Sequence, residues 1–262
     1  MQQIDYTIHG AELQFLEVIL DPQEAVVAEA GTMMFMDDGI AMETIFGDGS
    51  ASQDFLGSLL SAGKRLLVGE TLFMTVFKNE AGDRRRVAFA APFPGKIVAI
   101  DLKELGGELL TQKDSYLAAA KGVSIGIALQ KKIGAGLFGG EGFILERLQG
   151  DGLCFVHAGG TLYERTLAPG ETLRVDTGCV VAFQPSVNFD IQYVGSIKTA
   201  LFGGEGLFFA SLRGPGKIWL QSLPFSRLAD RIVAAAPQTG SGDREEGSVL
   251  GGLGRIIGGH NR

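Results

Sequence analysis

Leu137-Phe138-Gly139-Gly140-Glu141-Gly142 recurs letter for letter, 64 residues later, as Leu201-Phe202-Gly203-Gly204-Glu205-Gly206. Each copy leads into an apolar stretch, Phe143-Ile144-Leu145 or Leu207-Phe208-Phe209, and then a glycine turn, Gly150-Asp151-Gly152 or Gly214-Pro215-Gly216. Apolar runs closed by glycine turns read as strands, and their recurrence at a fixed period reads as an internal repeat. A weaker first copy is Leu66-Leu67-Val68-Gly69-Glu70, ahead of Thr71-Leu72-Phe73-Met74. Pro94-Gly95-Lys96-Ile97-Val98 likewise echoes Pro215-Gly216-Lys217-Ile218-Trp219.

A second set of markers keeps the same order. Glu24, Glu108 and Glu171 each stand seven residues before a small residue, Gly31, Ser115 or Gly178. Beyond each lies a stretch of period-two alternation, the pattern of a half-buried strand. The third, Val187, Phe189, Ile191, Tyr193, and the second, Val123, Ile125, Ile127, Leu129, are clean; the first, Ile40, Met42, Thr44, Phe46, is less so. The chain therefore divides into three β units at 1–101, 102–160 and 161–225, followed by a C-terminal helix and flexible tail over 226–262. The first unit carries a helical insertion near 54–67, where Phe55, Leu56, Leu59 and Leu60 fall at helical spacing. A second helix is expected over 225–236, capped by Ser226 and stopped by Pro237.

Composition bounds the rest. The 262 residues are 45% hydrophobic, enough for a packed interior, and the 39 glycines follow no collagen period. Phe, at 17 against 1 Trp, suits a core. The formal charge of −7 opposes a phosphate-based affinity, so no DNA partner is expected and RNA is disfavoured. The densest basic run, Arg84-Arg85-Arg86, reads as a solvated strand edge beside Glu80 and Asp83. The start lacks a basic and then apolar leader, and no uncharged stretch reaches spanning length, so a cytoplasmic location is expected.

The loop residues Gly139, Gly140, Glu141, Gly142 and their copies Gly203, Gly204, Glu205, Gly206 are the first candidates for chemistry. A phosphate cradle needs converging N–H groups, usually with a helix or lysine behind them. Here a strand follows and a carboxylate sits mid-loop, so the reading is a structural turn in which glycine supplies positive φ. Lys64, Lys132 and Lys198, upstream of the three copies, are candidate ion-pair partners for the loop glutamates. Cys154 and His157 are C-x-x-H on one strand, hence on opposite faces, and no ligand cluster forms with His9 or His260. Glu24, Glu108 and Glu171 read as turn chemistry. No catalytic residues, no metal and no cofactor are expected.

Pro92–Ile97, the repeated Leu-Phe-Gly-Gly-Glu-Gly and Leu223-Pro224-Phe225-Ser226-Arg227 resemble the altered-inheritance-of-mitochondria protein family, over about 1–236. The resemblance implies a fold similar to the tryptophan RNA-binding attenuator protein: all-β, with a short double-stranded β-helix or β-sandwich unit present three times. Its mitochondrial members imply a role in organelle biogenesis or inner-membrane organisation. The sequence thus points to a non-enzymatic oligomeric scaffold or binding protein. The expected assembly is a homotrimer, and any further partner is an unidentified protein or a membrane surface. The alternative is a small-ligand or RNA binder, by fold analogy.

Overall fold

A strand with one buried face alternates apolar and polar residues, whereas a strand covered on both faces is apolar throughout. Both kinds occur here. The computed structural model describes residues 4–29, 31–46, 73–131, 142–193 and 208–236, and in them nineteen strands, β1 to β19 in chain order, pair antiparallel into four sheets. Sheet one runs β1 (Asp5–His9), β2 (Phe15–Leu20), β7 (Arg85–Ala90), β4 (Met33–Met36). Sheet two runs β5 (Ile40–Phe46), β6 (Phe73–Asn79), β3 (Ala25–Glu29), β10 (Tyr116–Ala120), β13 (Leu153–Gly159), β8 (Gly95–Asp101). Sheet three runs β11 (Ser124–Lys131), β12 (Phe143–Gln149), β9 (Glu108–Gln112), β16 (Val180–Phe183), β19 (Gly216–Gln221), β14 (Leu162–Leu167). Sheet four runs β15 (Thr172–Asp176), β18 (Phe208–Arg213), β17 (Asn188–Tyr193). The protein is all-β, with one α-helix among the described residues, α1 (Phe225–Ala235).

Three cores separate the four sheets. Leu16, Val18, Val87 and Phe89 of sheet one pack against Val26, Phe77, Leu117 and Phe155 of sheet two. Val27, Tyr116, Cys154 and Val156 of sheet two meet Leu109, Leu148, Val181 and Trp219 of sheet three. Phe143, Leu145 and Phe183 of sheet three meet Ala210 and Leu212 of sheet four. Sheets two and three are therefore covered on both faces. That is why β10 (YLAAA) and β16 (VVAF) are buried at every residue, while β2 alternates along its length.

Glu24 and Glu171 close turns as their positions suggest, whereas Glu108, the first residue of β9, does not. Between β2 and β3, the Glu24 carboxylate accepts the Asp21 N–H at 2.8 Å, and Glu24 N–H returns to the Asp21 carbonyl at 3.0 Å. Between β14 and β15, Glu171 accepts the Ala168 N–H at 2.7 Å and closes the same backbone bond at 3.0 Å. Each turn places a left-handed residue before its Glu, Gly170 at φ 80° and Gln23 at φ 69°. Glu108 instead takes Gln149 Nε2 at 3.1 Å and Arg147 at 3.3 Å.

Two further expectations change. Ser226 lies inside the first turn of α1, which already begins at Phe225, with Leu228 N–H bonded to the Pro224 carbonyl at 3.3 Å. β7 is not an edge strand, since β2 and β4 flank it. The insertion near 54–67 and the tail beyond 236 lie outside the described residues. The main body closes at Ala229, and Asp230 onward forms a separate unit.

Candidate functional site

Gly139, Gly140, Glu141 and Gly203–Gly206 lie outside the described residues, as do Lys64, Lys132 and Lys198. Gly142 is described: it precedes β12 with φ 86°, a conformation that favours glycine. Arg84, Arg85 and Arg86 each have a carboxylate partner. Arg84 pairs with Asp5 and with Asp21 (2.7 Å), Arg85 with Asp83 (2.7 Å), and Arg86 with Asp37 (3.2 Å). The Arg86 N–H and guanidinium together hold the Asp37 carboxyl below its usual range. Filter binding of generic single-stranded RNA at ~150 mM salt is expected to show no sub-micromolar affinity. A tight complex there would mean another basic surface exists.

The chemistry the sequence missed is inside. Glu146, in the middle of β12, is 1% exposed in the core between sheets two and three, and its Oε2 has no hydrogen-bond partner among the described residues. Glu29 ends β3 in sheet two, and its charge is felt by Glu146. Lys113 and Asp114, from the 3-10 turn Lys113–Ser115 that links β9 to β10, act on both carboxyls. Burial, then the Asp114 charge, pushes Glu29 up to about 7, with Lys113 opposing. Burial, then Glu29, pushes Glu146 up to about 8. The two nearby hydroxyls are committed elsewhere: Tyr116 donates to the Val27 carbonyl at 2.8 Å, and Thr111 to the Val181 carbonyl at 3.1 Å. Among the described residues, no three His, Cys, Asp or Glu side chains are placed to hold a metal.

Cys154 and His157 do point to opposite faces. Cys154 packs in the sheet two–sheet three core, where burial pushes its thiol up to about 12, out of nucleophilic range. His157 lies on the other face against the Phe93 ring, at 4.5 Å between centroids, and burial drives its pKa down to about 4. Phe93 also meets Phe225, ring to ring at 5.4 Å. Two of the sequence motifs, Pro92–Ile97 and Leu223–Arg227, thus meet in space as a packing junction. Arg227 extends it to Asp176 at 3.3 Å.

The family model described as "Mitochondrial biogenesis AIM24" matches residues 6–223. The chain belongs to this family. The chain is also 28% identical over 229 residues to an uncharacterized protein of Streptococcus pyogenes serotype M6, covering 86% of this chain and 88% of that one. A Streptococcus pyogenes protein of known crystal structure shares the fold at TM-score 0.70 and 22% identity, over 89% of this chain and all of the other. For this AIM24 chain the family model fixes the family, and the likeness to the crystal structure supports the fold alone. No helix among its described residues is long and apolar enough to cross a membrane.

Proposed function

We propose that this AIM24-family chain is a non-enzymatic scaffold built of three repeats, closing head to tail into a homotrimer through sheet addition. Support comes from the strand pairing. In each run of six strands, β2–β7, β8–β13 and β14–β19, the first pairs with the sixth and the sixth with the third. In each run, too, the second pairs with the fifth and the fifth with the fourth. On this scheme the first boundary falls before β8, ahead of the position 101 that the motifs suggest. Gln23, Gly106 and Gly170, all at positive φ, take one position in the three runs, so Gly107 rather than Glu108 corresponds to Glu24.

Neighbouring runs join by one rule: the second strand of a run pairs with the third strand of the next. β3 pairs with β10, and β9 with β16. The rule leaves β15 without a following run and β4 without a preceding one; neither gains a second neighbour among the described residues. β4 carries exposed Met33, Met34 and Met36, an apolar edge of the kind monomers normally blunt. Since β4 and β15 of one chain do not pair with each other, closure needs further copies, and head-to-tail repetition removes every such edge at once.

The open outer edges of β4 and β15, each with one strand neighbour among the described residues, are the observation that carries the reading. Native mass spectrometry tests it: the expected species lies near three times the 27.7 kDa chain mass. A monomer persisting at micromolar concentration would remove the scaffold reading.

A further inference from the structure

The geometry points to a proton-operated latch between sheets two and three, formed by the Glu29 and Glu146 carboxyls and closed when they hold a proton. Glu29 ends a strand of sheet two and Glu146 sits mid-strand in sheet three, so charge on both acts across the core that joins the sheets. Among the described residues, the titratable groups that act on or feel them are Lys113 and Asp114, from the turn between β9 and β10, and Tyr116 from β10, with Cys154 of β13 beside Tyr116. Of these, Lys113 alone opposes the negative charge. Tyr116 and Cys154 titrate far above neutrality, and the Tyr116 hydroxyl is already spent on the Val27 carbonyl. Among the described residues Glu146 Oε2 therefore has no donor to solvate an anion, and a buried carboxylate without donors is costly. Protonation lowers that cost and removes the repulsion together.

The fold does not itself require acids here. On the repeat reading, the corresponding places at the β9–β16 seam are Gln112 and Ala210, the residues that end β9 and oppose Val175. The latch does not depend on ring closure and is testable whatever the oligomeric state.

The sign follows from proton uptake. Both carboxyls titrate above their unfolded value of 4.5, so the folded state binds more protons between pH 4.5 and about 8, and stability falls as pH rises through that window. His157 works oppositely, but only between about 4 and 6.5, so pH 6.5–9 isolates the pair. The melting temperature of the full chain is expected to fall across that range and then flatten. Glu146→Gln should abolish most of the fall and melt about 5 °C above wild type at pH 9. Glu29→Gln should abolish a smaller part. Infrared spectra should show a protonated-carboxyl band at pH 6.5 that is lost at pH 9 and reduced in Glu146→Gln. Hydrogen-exchange protection factors at β3, β10 and β12, corrected for the intrinsic rise of exchange with pH, should fall at pH 9 in wild type but not in the variant. Parallel melting curves for wild type and Glu146→Gln, or no such band at pH 6.5, would overturn the latch. If Glu146→Gln folds poorly, the wild-type band and exchange decide alone.

Discussion

Oxidation of a Met36→Cys, Arg174→Cys double variant is expected to convert the chain almost completely into covalent dimers and trimers. The pair follows from register. Ala28, Thr111 and Val175 take the same position in β3, β9 and β15, each opposite a fifth-strand residue, Thr75, Glu146 or Ala210. Phe35, Ala118 and Ala182 likewise match, each following a bulge and opposing Ala88, Phe155 or Trp219. The two observed seams place Ala118 opposite Ala28 and Ala182 opposite Thr111, with Ala119 opposite Val27 and Phe183 opposite Leu110 one step along. A seam of the same kind between two copies would therefore set Phe35 opposite Val175 and Met36 opposite Arg174. Directly opposed residues have Cβ atoms about 4.5–5.5 Å apart, within a small adjustment of disulfide geometry. Because close and wide pairs alternate, Phe35→Cys with Val175→Cys is the companion variant. Met36→Cys with Leu173→Cys, one residue out of register, should link poorly. Cys154 is buried and Cys179 is half-buried, so the wild-type chain provides the background. Strong linking in the offset pair alone would refute this register, and no linking in any pair would refute the seam.

How much of this was legible in the sequence depended on the layer in which a residue sits. The outer strands announced themselves by alternation: Val187 is buried, and Phe189 and Ile191 pack on the third core. The same reading weakened at Ile127 and Met42, 41% and 49% exposed, which lie in β11 and β5, edge strands of their sheets. The pairing of β8 with β13 crosses a boundary drawn from motifs, because hydrogen-bond partners chosen across more than fifty residues leave no local trace. Glu146 was invisible for a related reason. Within Glu146-Arg147-Leu148-Gln149 it reads as part of a solvated face, and Arg147 and Gln149 are indeed exposed. Only the stacking of sheet two on sheet three buries it, and its partner Glu29 comes from another strand run altogether. By contrast, Pro92–Ile97 and Leu223–Arg227 were visible as motifs, but their contact at Phe93 and Phe225 was not.

That contact makes Gly159→Ala the most damaging small substitution expected among the described residues. Gly159 ends β13 opposite Gly95, the first residue of β8. A Cβ on Gly159 would fall well inside contact of the Leu223 carbonyl oxygen and 2.5 Å from Phe93 Cε2. Neither neighbour can give way freely. Leu223 is tied back by its own N–H to the Gly159 carbonyl at 3.0 Å, and Phe93 is wedged between the His157 and Phe225 rings. The Gly159 N–H is itself held by Gln221 Oε1 at 2.7 Å, so the strand end cannot slide outward without losing a buried hydrogen bond. Overpacking against backbone costs about 3 kcal/mol, which for a chain of this size lowers the melting temperature by roughly 10 °C. Gly95→Ala should behave similarly, since its Cβ would meet His157 Nε2 at 2.6 Å and the Ala158 carbonyl closer still. Gly82→Ala is the control: nothing lies within 4 Å of its Cβ, and its melting temperature should match wild type. Unchanged melting of both Gly159→Ala and Gly95→Ala would show that the junction yields, and that the two motifs meet without constraining β8 and β13.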